Sequence, residues 1–206
     1  MTLPSLYPII DLDLCRMRGL EPRAVAAACL AAGVRLLQVR QKTAGTGMFL
    51  ALVRSVVADG AVRGASVIVN DRPDIALMSG ARGVHVGQSD LSVADVKSIT
   101  GLQCVVGVST HTTSQVDEAI AGPADYVAVG PVFRTATKDT GYEPRGLELV
   151  RYAAGRGKPV VAIGGISLDN ARQVTDAGAS AVAIISDLLE GGQVAARLGA
   201  YLRALG

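Results

Sequence analysis

The chain has no tryptophan, and phenylalanine and tyrosine together supply only 3% of its 206 residues. Its hydrophobic half is mostly Ala, Val, Leu and Ile. That composition suits many short buried strands sheathed by close-packed helices. Charge of one sign is also missing: 20 basic and 18 acidic residues leave a formal net charge of +2, and no basic run stands out. Nucleic acid and anionic membrane are therefore not expected as main partners. The longest apolar stretch, 24–34, lies between Arg23 and Arg35 and is roughly half a membrane span. Residues 1–13 contain neither a basic region nor a cleavage-like apolar segment, so no signal peptide and a cytoplasmic location are expected. Cys15, Cys29 and Cys104 are odd in number and lack metal-ligand spacing; they read as plain core or near-surface thiols. No Ser-His-Asp or Cys-His ordering favours hydrolysis.

What is present is alternation. Apolar β-rich runs at 6–11, 36–40, 66–71, 83–88, 103–109, 126–133, 159–165 and 181–186 are separated by helical stretches such as 22–32, 47–57, 113–121, 147–154 and 168–177. A helix at 193–205 closes the series. Strict strand–helix alternation implies right-handed crossovers and a parallel sheet. An open doubly wound sheet would normally bring a glycine-rich first turn or a chain split in two, but there is no G-x-G-x-x-G and no Walker-type lysine loop. Eight units match closure, so the expected fold is a single (β/α)₈ barrel domain spanning 1–206. The one conspicuous irregular segment is 134–145, long and polar enough for a lid or binding loop.

The C-terminal ends of the strands are where such a barrel keeps its active site. In the second strand a period of two puts Leu36, Gln38, Arg40 and Lys42 on one face and Leu37 and Val39 on the other. Gln38, Arg40 and Lys42 then rise toward the mouth as a polar ladder. A fraying strand end would explain Lys42 but not the polar groups before it. The third strand ends in Asn70-Asp71, and Asp90 follows the fourth. These neighbouring carboxylates either cap the next helices or hold a hard cation such as Mg²⁺, which takes one or two carboxylates and completes its shell with water and phosphate oxygens. Gly164-Gly165 and Ile185-Ser186 end the seventh and eighth strands, the recurrent phosphate-binding place of this fold; a tight turn is the plainer reading of the glycines. Thr135, Thr137 and Lys138 can clamp an anion or sit in ordinary exposed loop. His85, within an apolar strand, reads as a satisfied structural imidazole. His111 can serve acid–base chemistry or cap the next helix.

The strand tips QVRQK, VNDRPD, GVHVGQSD, GVSTHT, GPVFRTATK, VAIGGIS and AIIS, taken in order over residues 6–189, resemble the thiamine phosphate synthases. Each motif is weak alone; their order and spacing are specific. The resemblance implies a barrel enzyme joining 4-amino-5-hydroxymethyl-2-methylpyrimidine diphosphate to 4-methyl-5-(2-phosphoethyl)thiazole, with loss of diphosphate. It implies a pyrimidine diphosphate site at Gln38, Val39, Arg40, Gln41, Lys42, Asn70, Ser109 and Lys138, with Arg40, Lys42 and Lys138 catalytic. Asp71 and Asp90 correspond to magnesium ligands. Thr135, Ala136, Thr137, Gly165, Ile185 and Ser186 correspond to the thiazole phosphate side. The partners implied are small phosphorylated substrates and, beyond them, at most further copies of the same chain. Arg134 stands where the family more often has a small residue or Pro. Two rivals fit the same barrel: a thiazole tautomerase leaning on a histidine such as His111, and a non-catalytic thiamine phosphate binder. Neither needs the carboxylate pair together with Lys42 and Lys138.

Overall fold

In the computed structural model, which describes residues 2–43, 45–135 and 141–206, the strands close on themselves. They are β1 (Leu6–Asp11), β2 (Leu36–Arg40), β3 (Ser66–Asn70), β4 (Gly83–Val86), β5 (Val105–Thr110), β6 (Tyr126–Val129), β7 (Val160–Ile163) and β8 (Ala181–Ile184). Each pairs in parallel with the next, and β1 pairs with β8, so no sheet edge is left. The helices outside are α1 (Leu12–Met17), α2 (Pro22–Ala31), α3 (Thr46–Val62), α4 (Pro73–Ser79), α5 (Val93–Thr100), α6 (Thr113–Ala121), α7 (Gly146–Ala153), α8 (Ala171–Asp176) and α9 (Val194–Leu205). The fold is a (β/α)₈ barrel.

Period-two alternation sorts the side chains into two layers. Leu37 and Val39 join the large apolar cluster between sheet and helices. Leu36 belongs to a smaller cluster inside the barrel with Tyr7, Ile9, Ile68, Val105 and Tyr126. β1 and β2 lie where the sequence places them. β4, β6 and β7 stop short of the expected 88, 133 and 165, because Gly87, Gly130 and Gly164 follow their last paired residues and release the chain into loops. α8 begins at Ala171 rather than 168 because the Asn170 carboxamide is spent on the loop: it accepts from Ser167 N at 2.9 Å and donates to Gly165 O at 3.0 Å.

Cys15 and Cys29 are fully buried, and that burial pushes both thiols up to about 12. They are inert core groups, as their spacing suggests. Among the described residues no helix is long and apolar enough to cross a membrane.

One glycine carries the barrel's interior. Gly107 of β5 lies opposite Tyr126 of β6, and a Cβ there would sit 2.0 Å from the phenol ring. The ring occupies the space that a side chain at 107 would need. Gly107→Val is expected to lose roughly 1–3 kcal/mol of stability by overpacking, measured as a lowered urea midpoint; an unchanged midpoint would show that the ring has room to move.

Candidate active site

The polar ladder of β2 rises inside the barrel mouth, and each rung has a partner from a neighbouring strand. Gln38 is buried and donates through Nε2 to the Tyr7 hydroxyl at 3.1 Å. Arg40 pairs with Asp11, its register partner at the end of β1. Asp11 uses its other oxygen to cap α1, accepting from Leu14 N at 2.9 Å. The Lys42 ammonium reaches Asp71 Oδ2 at 2.5 Å, and its backbone N–H donates to Asp13 at 3.2 Å. Val39 points the other way, into the apolar layer beneath the helices, so only its backbone can serve the mouth. Gln41 follows the last residue of β2, at the rim.

Neither carboxylate of the expected cation pair caps a helix. Ser92 caps α5, accepting from Asp95 N at 3.1 Å, while Asp90 folds back to accept from Gly87 N at 2.8 Å. Asp71 precedes the cap position of α4 and has φ of 60°, the one non-glycine at positive φ among the described residues. Aspartate tolerates that conformation better than most residues. Its N–H donates to His85 O at 2.8 Å, which fixes the turn while the side chain stays at the mouth. Beside it, the Asn70 amide nitrogen is buried with no hydrogen-bond partner. A buried donor left over in this way needs an acceptor from a ligand or from water.

The other half of the mouth is apolar and glycine-rich. A central cavity is lined by Ser109 on β5 and His111 just past it, Gly130 and Pro131 after β6, Gly164 and Gly165 after β7, and Ile185 and Ser186 after β8. Thr135 lines it too, whereas Ala136, Thr137 and Lys138 lie outside the described residues. Gly164 and Gly165 have φ of 101° and 65°, and a Cβ on Gly165 would meet Arg134 O at 2.5 Å. Here glycine serves both the turn and the close approach. The β8 loop is fastened from behind: Asp187 accepts from Arg197 at 3.0 and 2.5 Å and from the Tyr201 hydroxyl at 2.5 Å, both on α9.

His85 is satisfied within the barrel, as its sequence context suggests, with Nδ1 2.9 Å from the Tyr126 hydroxyl and Nε2 2.9 Å from the Ser109 hydroxyl. His111 does not cap α6, because Thr112 does so by accepting from Gln115 N. Its Nδ1 instead lies 2.5 Å from Gly130 O, and its ring stacks on Tyr142 at 4.4 Å between centroids. Burial raises the pKa of both phenols, Tyr7 and Tyr126, far above the ordinary tyrosine value, so they remain neutral hydroxyls. Tyr7, Asp11, Asp13 and Tyr126 went unnoticed in the sequence. A tip acid on β1 facing a tip base on β2 was a readable signal for Asp11; the tyrosines gave none, since their partners lie across the barrel.

A family model described as thiamine monophosphate synthase matches residues 6–188. The chain belongs to that family. Among family members with curated names, the thiamine-phosphate synthase of Anaeromyxobacter dehalogenans is 40% identical over 188 residues, covering 91% of this chain and 81% of the relative. That of Koribacter versatilis is 39% identical over 195 residues, covering 92% and 90%. The solved thiamine phosphate pyrophosphorylase from Pyrococcus furiosus superposes with a TM-score of 0.89 at 29% identity, covering 98% of this chain and 95% of that one. Barrels of other names superpose less closely, among them a 3-hexulose-6-phosphate synthase at TM-score 0.68 and 17% identity, a likeness of fold alone.

Asp11 holds both a helix cap and the Arg40 guanidinium. Asp11→Ala is expected to cost about 2–5 kcal/mol in urea unfolding, from the lost cap and a nearly buried charge left unpaired. Asp11→Asn, which keeps an oxygen for the cap, should cost less; equal losses would mean that the cap contributes nothing.

Proposed function

We propose that this chain is a transferase that makes thiamine phosphate, condensing 4-amino-5-hydroxymethyl-2-methylpyrimidine diphosphate with 4-methyl-5-(2-phosphoethyl)thiazole and releasing diphosphate. The observation that carries the reading is the division of one barrel mouth. Asp11, Arg40, Lys42, Asp71 and Asp90 are gathered on the tips of β1 to β4 and the turns after them, and the glycine–serine cavity lies on β5 to β8. A diphosphate and a phosphate monoester need two such unlike places. Family membership supports the same assignment.

The donor set fits magnesium. Asp71 and Asp90 offer hard oxygens on adjacent strand tips, and neither is committed to a helix cap. Among the described residues no group of three or more His, Cys, Asp or Glu gathers to hold a metal by itself. Mg²⁺ takes one or two carboxylates and borrows phosphate oxygens from its substrate. Asp71 and Asp90 would hold Mg²⁺, which when bound neutralises charge on the leaving diphosphate.

The chain's own part is to bind, orient and stabilise charge. Arg40 and Lys42 face the diphosphate, and Lys138 adds a third positive charge from the loop after β6. As the bond from the pyrimidine methylene to the diphosphate breaks, negative charge grows on the leaving oxygens, which Arg40, Lys42 and Lys138 stabilise. The cation left on the pyrimidine is captured by the thiazole nitrogen, so no side chain has to act as a nucleophile. Lys42 rests against Asp71 until the substrate arrives, which keeps the ammonium aimed inward. The Asn70 amide and the Ser109 hydroxyl orient the pyrimidine portion. The backbone at Gly165, Ile185 and Ser186, with Thr135 to Thr137, receives the thiazole phosphate. Bringing both substrates into one mouth supplies proximity as well.

Purified protein with both substrates and Mg²⁺ is expected to release thiamine phosphate and diphosphate in equal amounts. Well-folded protein that forms no product would overturn the reading. Lys138→Ala should keep its urea midpoint but lose on the order of 10²–10³ in kcat; near-normal turnover would remove Lys138 from the leaving-group role. Asp71→Asn should move the magnesium titration of activity to higher concentration, and an unshifted titration would remove Asp71 from the cation site.

A further inference from the structure

An unbroken line of hydrogen bonds crosses the barrel interior beneath the mouth. Gln38 Nε2 donates to the Tyr7 hydroxyl at 3.1 Å, and the Tyr7 and Tyr126 hydroxyls are 3.1 Å apart. The Tyr126 hydroxyl is 2.9 Å from His85 Nδ1, and His85 Nε2 is 2.9 Å from the Ser109 hydroxyl. The line draws on β2, β1, β6, β4 and β5 in turn, and its first four members are buried. Ser109, the last, is a lining residue of the central cavity.

Such a line has a direction. An amide nitrogen can only donate, so the Tyr7 oxygen accepts from Gln38. The Tyr7 proton then has the Tyr126 oxygen as its acceptor, and the Tyr126 proton has His85 Nδ1. An imidazole nitrogen that accepts carries no proton, which puts the ring hydrogen on Nε2 and aims it at the Ser109 oxygen. The serine's own proton is left outside the line. A protonated ring would break this order: Nδ1 would donate to an oxygen already receiving a proton from Tyr7. The Tyr126 hydroxyl would then be buried without an acceptor, which is unfavourable.

We propose that Tyr7, Tyr126 and His85 are positioning residues: their line holds His85 as the neutral Nε2–H tautomer and so presents Ser109 to the substrate as a hydrogen-bond donor. The substrate atom at Ser109 is then an acceptor, which on the synthase reading belongs to the pyrimidine diphosphate. None of the three touches the reacting atoms. They act through Ser109, by deciding what its hydroxyl can do.

The tautomer can be read without substrate, in long-range ¹H–¹⁵N spectra of ¹⁵N-labelled protein. The chain has two histidines, and His111→Asn assigns the remaining ring. His85 is expected to show an unprotonated Nδ1 and a protonated Nε2. A protonated Nδ1 on His85 would overturn the proposal, because the whole line would then run the other way, with the Gln38 carbonyl turned toward Tyr7. Tyr126→Phe keeps the ring and removes the donor to Nδ1. It is expected to mix the two tautomers and lower kcat on the order of 5–10-fold, the worth of one such hydrogen bond, with KM for the pyrimidine diphosphate held within about twofold. An unmixed tautomer and unchanged kcat in this variant would also overturn it. Should Tyr126→Phe fail to fold, Tyr7→Phe makes the same test at the preceding bond, and a fully retained single tautomer there would count against the line. The readings stay separable: wild-type protein with the expected tautomer but no thiamine phosphate product would sink the synthase reading and leave the line standing.

Discussion

A closed barrel of short strands has to be filled from within, and every polar atom used as filling has to find its partner there. Here two phenols share the interior cluster with Leu3, Leu36 and Val105, and the buried His85 imidazole stacks on one of them. Their ring area supplies burial, and Tyr7 meets Tyr126 edge-on at 6.2 Å between centroids. Their polar ends would be costly if left unmatched, so they are matched to each other in series. That requirement joins the packing of the barrel to the state of the groups at its rim, because the series ends at Ser109.

Charge at the mouth is handled in pairs. Arg40 with Asp11 and Lys42 with Asp71 each set a base at or just past the end of β2 against an acid at or just past the end of a flanking strand. In the nearly buried pair, desolvation offsets much of the attraction, so its contribution is better seen as aim than as stability. Arg40 is held by an aspartate that also caps α1, and neither role is easily given up. Lys42 is nearly half exposed and bound to a residue in a left-handed turn, and its pairing can be exchanged for another anion. The two rungs thus differ in how freely they can answer a ligand.

Much of this was legible in the sequence because a barrel converts chain order into spatial order. Once eight strands were counted, Asn70-Asp71 and Asp90 had to be neighbours, and the split between Gln38 and Val39 followed from alternation alone. Strand ends fall short of the sequence expectation at β4, β6, β7 and β8; past β6 the apolar Val132 and Phe133 resemble strand, although the ladder stops at Val129. Asp90 reads from the sequence as either cap or ligand, and Ser92, two residues on, takes the cap of α5. The partners of Gln38 and His85 are out of reach for a simpler reason. They are set by which side chains meet across the barrel, and periodicity along one strand carries no such information. Ala136, Thr137 and Lys138 rest on the family resemblance.

The glycine at 107 has a meaning beyond the space it leaves. A methyl group there would collide with the ring of Tyr126, and Tyr126 stands in the middle of the line that reaches Ser109. Enlarging the first displaces the second, and displacing the second alters a hydroxyl only two residues further along β5. The residue with no side chain is in this sense a chemical determinant of the mouth, and a survey of relatives that scored positions singly would pass over it.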